Sequence, residues 1–186
     1  MIILGIDPGS RKAGYAVIKV NGRKMSYIDS GVLRYDKIDE FLDRLGEIHK
    51  SCEELVIRYE PAEIALESLI YVKSVTSLAK LAQARGAMIA AFMKTHVGKV
   101  SEYAPNLIKS SVTGHGHANK EGVEKTLTMI FGKIEFKTND ESDALAIAVC
   151  HALNRGQKVI QKTSKAKTLL SSKRGGRTLK DVFKNR

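Results

Sequence analysis

Asp7 closes a short apolar run, Ile2-Ile3-Leu4-Gly5-Ile6, and is followed at once by the turn-forming pair Pro8-Gly9. Such a run reads as a buried strand that delivers an acid to its end. Glu67 repeats the arrangement behind Glu63-Ile64-Ala65-Leu66. Asp140 and Asp143 stand three apart at the head of an apolar helical run, which puts both on one helix face. Glu141 is turned about 100° away from Asp140 at the usual helical period. Thr138 and Glu141 have the spacing of a capping box, which gives Glu141 a structural task. Four carboxylates converging in a chain of net charge +11 need cations between them, so divalent-metal and phosphate chemistry is expected.

The elements that must position these acids follow from the hydrophobic pattern. After the Pro8-Gly9 turn, a strand is expected over residues 13–20, a two-residue hairpin turn at Asn21-Gly22, and a third strand over 26–35, together an antiparallel meander. Ile38, Phe41, Leu42, Leu45, Ile48, Leu55 and Val56 recur at helical spacing over 38–59, and Pro61 closes that stretch. A crossover helix makes the following strand, 63–67, parallel to the first, so Asp7 and Glu67 should emerge at one sheet edge. Open α/β sheets place their sites at the carboxyl ends of strands. A second long helix is expected over 74–94, with Val75, Leu78, Leu81, Ala82, Met88, Ile89 and Phe92 as its apolar face. Its small residues Ala79, Ala82, Ala84, Gly86 and Ala87 suggest close approach by another element, including a second copy of the chain. A fifth strand over 99–103 precedes a short helix opened by Pro105, then a mobile loop from Thr113 to Lys120 flanked by Lys109, and a helix over 121–131.

Composition bounds the function. The chain is 43% apolar and 27% charged, which suits one globular domain, and no apolar run approaches a membrane span. No signal peptide is apparent, so the expected setting is the cytoplasm, without membrane association. Cys52 and Cys150 lack metal-ligand spacing and read as buried free thiols. His115 and His117 alternate in a Gly-rich loop with no nearby Cys, which fits solvated histidines better than a zinc site. Charge is unevenly spread: residues 154–186 hold 11 of the 31 basic residues but only one of the 20 acids, Asp181. The expected organisation is therefore a folded domain over 1–153 and a basic, flexible tail over 154–186 suited to nucleic acid.

The order of the pieces resembles the RuvC family of Holliday-junction resolvases. The resemblance rests on Gly5-Ile6-Asp7-Pro8-Gly9, Leu66-Glu67-Ser68, Leu81-Ala82-Gln83-Ala84-Arg85-Gly86, Lys109 with Val112-Thr113-Gly114-His115-Gly116-His117-Ala118-Asn119-Lys120, and Asp140-Glu141-Ser142-Asp143-Ala144-Leu145-Ala146-Ile147-Ala148. It implies a ribonuclease H-like α/β fold: a five-stranded mixed sheet, three strands in an antiparallel meander and the others parallel, flanked by helices. It implies that Asp7, Glu67, Asp140 and Asp143 are catalytic metal ligands, and that Lys109 and Lys120 hold DNA near the scissile phosphates. The implied cofactor is magnesium, two ions per site, with manganese able to substitute; hard carboxylate oxygens favour such ions. The implied activity is symmetric nicking of opposing strands of four-way junction DNA, in recombination and repair, by a homodimer working beside a branch-migration motor and its junction-binding partner.

Two features depart from that family. Members usually carry Phe three residues after the glutamate, where this chain has Ile70 and then Tyr71, so the DNA-wedging contact is expected from one of these. The basic tail is the other departure. Three alternatives share some of these marks: an actin-like kinase or ATPase, for which the chain is too short, a junction-binding module without catalysis, and a ribonuclease H-like nuclease acting on other substrates.

Overall fold

A computed structural model describes residues 1–69 and 74–155, and within them one mixed sheet has helices on both faces. Strands β1 (Ile2–Asp7), β2 (Lys12–Asn21) and β3 (Lys24–Arg34) form the antiparallel meander. Helix α1 (Phe41–Tyr59) crosses over to β4 (Glu63–Glu67), which pairs parallel to β1; helix α2 (Val75–Met93) leads to β5 (Val100–Tyr103), parallel to β4. The sheet order is β3-β2-β1-β4-β5. Helices α3 (Pro105–Thr113), α4 (Lys120–Phe131) and α5 (Asn139–Asn154) complete the fold. The expected five-stranded architecture is present. The basic tail, Ile70 and Tyr71 lie outside the described residues.

Two cores flank the sheet. Side chains of alternate parity on each strand point to opposite faces: Leu4, Ile6, Val17, Ile64 and Leu66 pack against α1 and α2, whereas Ile3, Ala16, Ile18 and Ala65 pack against α3, α4 and α5. Asp7 shares the parity of Ile3 and therefore faces α5. Helix α5 is apolar almost all round, with Ala144 to His151 buried throughout. Its close approach depends on glycine: a Cβ on Gly5 would stand 2.3 Å from the Ala144 carbonyl oxygen, and one on Gly14 2.0 Å from that of Asp140. These contacts lay the head of α5 directly on β1 and β2.

Several local expectations shift. The hairpin turn is Gly22-Arg23, since Asn21 still pairs with Lys24, and the positive φ of Gly22 (58°) falls at the first turn position. On α1, Leu42 is 74% exposed while Arg44, between Phe41 and Ile48, is buried. The helical spacing predicts Leu42 on the buried face of α1; the helix is instead rotated so that Arg44 reaches backbone carbonyls at its N-terminus. Val75 and Ala82 of α2, both on the expected apolar face, are likewise exposed. Lys120 belongs to the first turn of α4, whose N-cap, Asn119, accepts a bond from the Gly122 N–H at 2.9 Å. The capping box does not form. Thr138 makes no side-chain capping bond, and the buried Glu141 carboxylate turns under the sheet to accept from Ser30 Oγ at 3.0 Å. Both cysteines are buried and free.

Candidate active site

The parallel register of β1 and β4 places Ile6 beside Leu66, so the next rung holds Asp7 beside Glu67. Adjacent strands are about 4.8 Å apart, close enough for unlike or like charges to interact strongly once partly buried. Helix α5 starts above this edge and brings Asp143 over it. Asp7, Glu67 and Asp143 line one cleft of about 320 Å³ together with Lys109 of α3 and Lys120 of α4; Pro105, Ile108, Val123, Ala146 and Ile147 form its apolar wall. Lys120 Nζ donates to Asp143 Oδ2 at 2.9 Å.

Asp140 stands at the margin. It does not line the cleft, yet its charge is close enough to raise Asp7. Lys12 Nζ lies 2.7 Å from Asp140 Oδ2, although the approach is poorly directed and that oxygen receives no well-formed hydrogen bond.

The electrostatics record the crowding. Asp7 is pushed up to about 7, first by burial and then by the charges of Glu67, Asp143 and Asp140. Glu67 is raised above the ordinary carboxylate range by burial and by Asp143. Among the described residues, neither side chain receives a hydrogen bond from protein, and the charges of Lys120 near Asp7 and Lys109 near Glu67 offset the crowding only in part. The donor set is hard oxygen, the sites are desolvated, and the acids repel: these residues fit divalent cations. Among the described residues no three carboxylate or histidine side chains yet surround a single point closely enough to hold an ion. Two of the four acids are instead engaged by ammonium groups, Asp140 by Lys12 and Asp143 by Lys120.

Three further residues support the site, and two of them carry a weak sequence signal. Arg85 of α2 donates from Nε to the Glu67 carbonyl at 3.2 Å and pairs with Glu102, tying the end of β4 to β5. Arg44 donates to the Ile38 carbonyl at 2.6 Å and to the Ser10 carbonyl at 3.3 Å, pinning the turn that follows Asp7. Each charge interrupts an apolar helix face, which is the signal that finds it. Lys12 has no such mark; only the folded register brings it to Asp140. His115 and His117 are exposed in the loop between α3 and α4, away from the cleft lining.

Known proteins are similar to this chain in sequence and in fold. Residues 3–151 match the family described as crossover junction endodeoxyribonuclease RuvC. The RuvC of Rhizobium johnstonii is 42% identical over 155 residues, covering 83% of this chain and 90% of its own length. That of Sinorhizobium medicae is 42% identical over 154 residues, covering 82% and 91%. The structure of Thermus thermophilus RuvC in complex with Holliday junction substrate superposes with a TM-score of 0.75 at 32% identity, covering 82% of this chain and 93% of that one. A family match across most of the chain, relatives well above the identity at which fold and family coincide, and the acid-lined cleft at the sheet edge lead to one conclusion: the chain belongs to the RuvC family of crossover junction endodeoxyribonucleases.

Proposed function

We propose that this chain is a magnesium-dependent endonuclease that resolves Holliday junctions by nicking opposing strands symmetrically. The observation that carries this reading is the single cleft in which Asp7, Glu67 and Asp143 meet Lys109 and Lys120. Asp7, Glu67, Asp140 and Asp143 would hold two magnesium ions, with manganese as a substitute, and Lys12 and Lys120 would give up Asp140 and Asp143 to them. When bound, such ions supply positive charge and Lewis acidity at the scissile phosphate. Lys109 and Lys120 would bind and orient the phosphodiester backbone through charge, which fixes position without reading sequence. The apolar wall of Ile108, Val123 and Ile147 limits water access and strengthens every charge in the cleft. Because Asp7 titrates near neutrality, its proton must leave before it serves as a ligand.

Symmetric nicking needs two sites, and α2 offers a surface for pairing two chains. Ala79, Ala82, Gln83, Gly86, Ala90 and Met93 are exposed on it at helical spacing. Such small residues permit close helix contact, and the homodimer is proposed through this face. Ile70 or Tyr71 would make the wedging contact with the junction. The family resemblance extends the reading to a branch-migration motor and its junction-binding partner. A chromosomal substrate places the work in the cytoplasm of a bacterial cell. Among the described residues no helix is long and apolar enough to cross a membrane.

The test is cleavage of a synthetic mobile four-way junction, with linear duplex and RNA–DNA hybrid alongside, by wild type and Asp7→Asn in magnesium and in chelator. The expected result is paired symmetric nicks on the junction by a species of two-chain mass. Asp7→Asn should lower the rate at least about a thousandfold, the several kcal/mol that metal-centred charge stabilisation supplies, while junction binding persists. In the same assay Tyr71→Ala should lose cleavage more than binding. Equal cutting of the hybrid would move the protein to another branch of the fold, and binding without cutting would make it a non-catalytic module.

A further inference from the structure

Lys12 and Arg34 are direct partners in the antiparallel ladder of β2 and β3, at the same sheet edge that carries Asp7 and Glu67. Directly opposed residues share a sheet face, and like charges placed so are destabilising. The shared face is the one that meets α5, because Gly14, two residues along β2 from Lys12, touches the Asp140 backbone. Both side chains are exposed. Lys12 has Asp140 as its counter-ion, whereas Arg34 forms no ion pair among the described residues. The backbone beneath them is pinned: the Tyr35 N–H donates to the Arg11 carbonyl at 2.8 Å, and Arg44 holds the Ser10 carbonyl. A repulsive pair on a rigid support has no benefit to the fold, and such local conflicts concentrate at binding sites.

We propose that Lys12 and Arg34 form a phosphate clamp for the DNA backbone on the β2–β3 flank of the acidic cleft. The sheet order puts this flank on the other side of Asp7 and Glu67 from Lys109, which follows β5. The phosphodiester strand is thereby gripped on both sides of the acids that act on it. Asp140, 2.7 Å from Lys12 Nζ, competes with phosphate for that ammonium group. The ligand is polynucleotide phosphate because the pair is continuous with the cleft through the Lys12–Asp140 contact. The proposal rests on the nuclease reading above.

The experiment measures binding of the full chain to a labelled four-way junction and to linear duplex, in chelator, across a salt series. Arg34→Gln should weaken binding about three- to tenfold and reduce the slope of log affinity against log salt by roughly one. Asp140→Asn should tighten binding about threefold, on the same electrostatic grounds, and this gain should vanish when Lys12→Gln is added. Lys24→Gln, at the far end of β3, should keep the wild-type slope. A melting temperature for Arg34→Gln at or above wild type separates a lost contact from a lost fold. A wild-type slope in Arg34→Gln, or an equal loss in Lys24→Gln, overturns the clamp. Loss of slope in a protein that cuts no junction would leave the clamp standing and remove the resolvase reading; symmetric nicking with unaltered slopes would remove the clamp alone.

Discussion

Each acid of the cleft is held differently, and the difference is measurable. Asp7 is raised to about 7 chiefly by burial, with Glu67, Asp143 and Asp140 adding to it. A carboxyl that holds its proton more tightly when folded than when unfolded favours folding at low pH. Its contribution is complete below the unfolded value of 3.8 and is lost as pH rises towards 7. Asp7→Asn should therefore be more stable than wild type at pH 8 in chelator, by on the order of 2 kcal/mol, and equal to it near pH 4. Denaturant melts at the two pH values check this, and an Asp7→Asn protein no more stable at pH 8 would show that the charge is already neutralised. Lys120 is a second residue set against local preference. A cation in the first turn of α4 opposes the helix dipole, a cost offset in place by Asp143 and explained by the phosphate it is proposed to bind.

Helix α5 carries the consequences of packing for chemistry. Its head holds Asp140 and Asp143, and its height over the sheet is set by Gly5 and Gly14. Gly14→Ala places a methyl group where the Asp140 carbonyl now lies, so the helix must lift. The expected cost is about 1–3 kcal/mol of stability together with weaker manganese binding, read by calorimetry. Stability loss with unchanged metal affinity would show that the acids adapt. The tail of α5 is tied to the sheet by a buried relay. Neutral His151 accepts from the Tyr103 hydroxyl at Nδ1 (2.8 Å) and donates from Nε2 to Glu63 (2.7 Å), which also receives Arg155 at 3.0 Å. Burial lowers His151 below 6.5, and the Arg155 hydrogen bond lowers Glu63 below 4.5. Both shifts favour the fold above the unfolded values, and both contributions are lost as pH falls through the folded ones. Asp7 and Glu67 act in the opposite sense, so the relay is read in a protein carrying Asp7→Asn and Glu67→Gln, whose melting temperature should fall on acidification below pH 6.5 and continue falling below 4.5. Glu63→Gln should flatten the lower part of that profile.

For the whole chain, charge is divided between an almost balanced stretch over residues 1–153 and a polycationic one over 154–186. Residues 154–186 are proposed to add phosphate contacts beyond the cleft. A chain ending at residue 155 should show a shallower dependence of log affinity on log salt, while its junction preference is kept. An unchanged slope would leave the basic segment without that role. Preference for the junction would then rest on the proposed clamp beside the cleft and on the spacing of two sites in the proposed dimer.

Periodicity and turn chemistry are local, and they were enough to place the strands that end in Asp7 and Glu67, the crossover between them, and the helix that begins near Asp140. The hydrophobic pattern also set both faces of the sheet, because alternate positions on β1 and β4 are apolar in both directions. What the sequence left open depended on which side chain meets which at long separation. Leu42 lost its expected buried place and Arg44 took one on that face because burying a guanidinium is tolerated where unpaired carbonyls await it, a condition created by the Ser10 turn and not visible along α1. Glu141 left its capping role for Ser30, a partner 111 residues away. The pairing of Lys12 with Arg34 and with Asp140 comes from strand register and from the glycines that let α5 settle on the sheet. Spacing along the chain determined the acids; tertiary packing decided which cations stand against them.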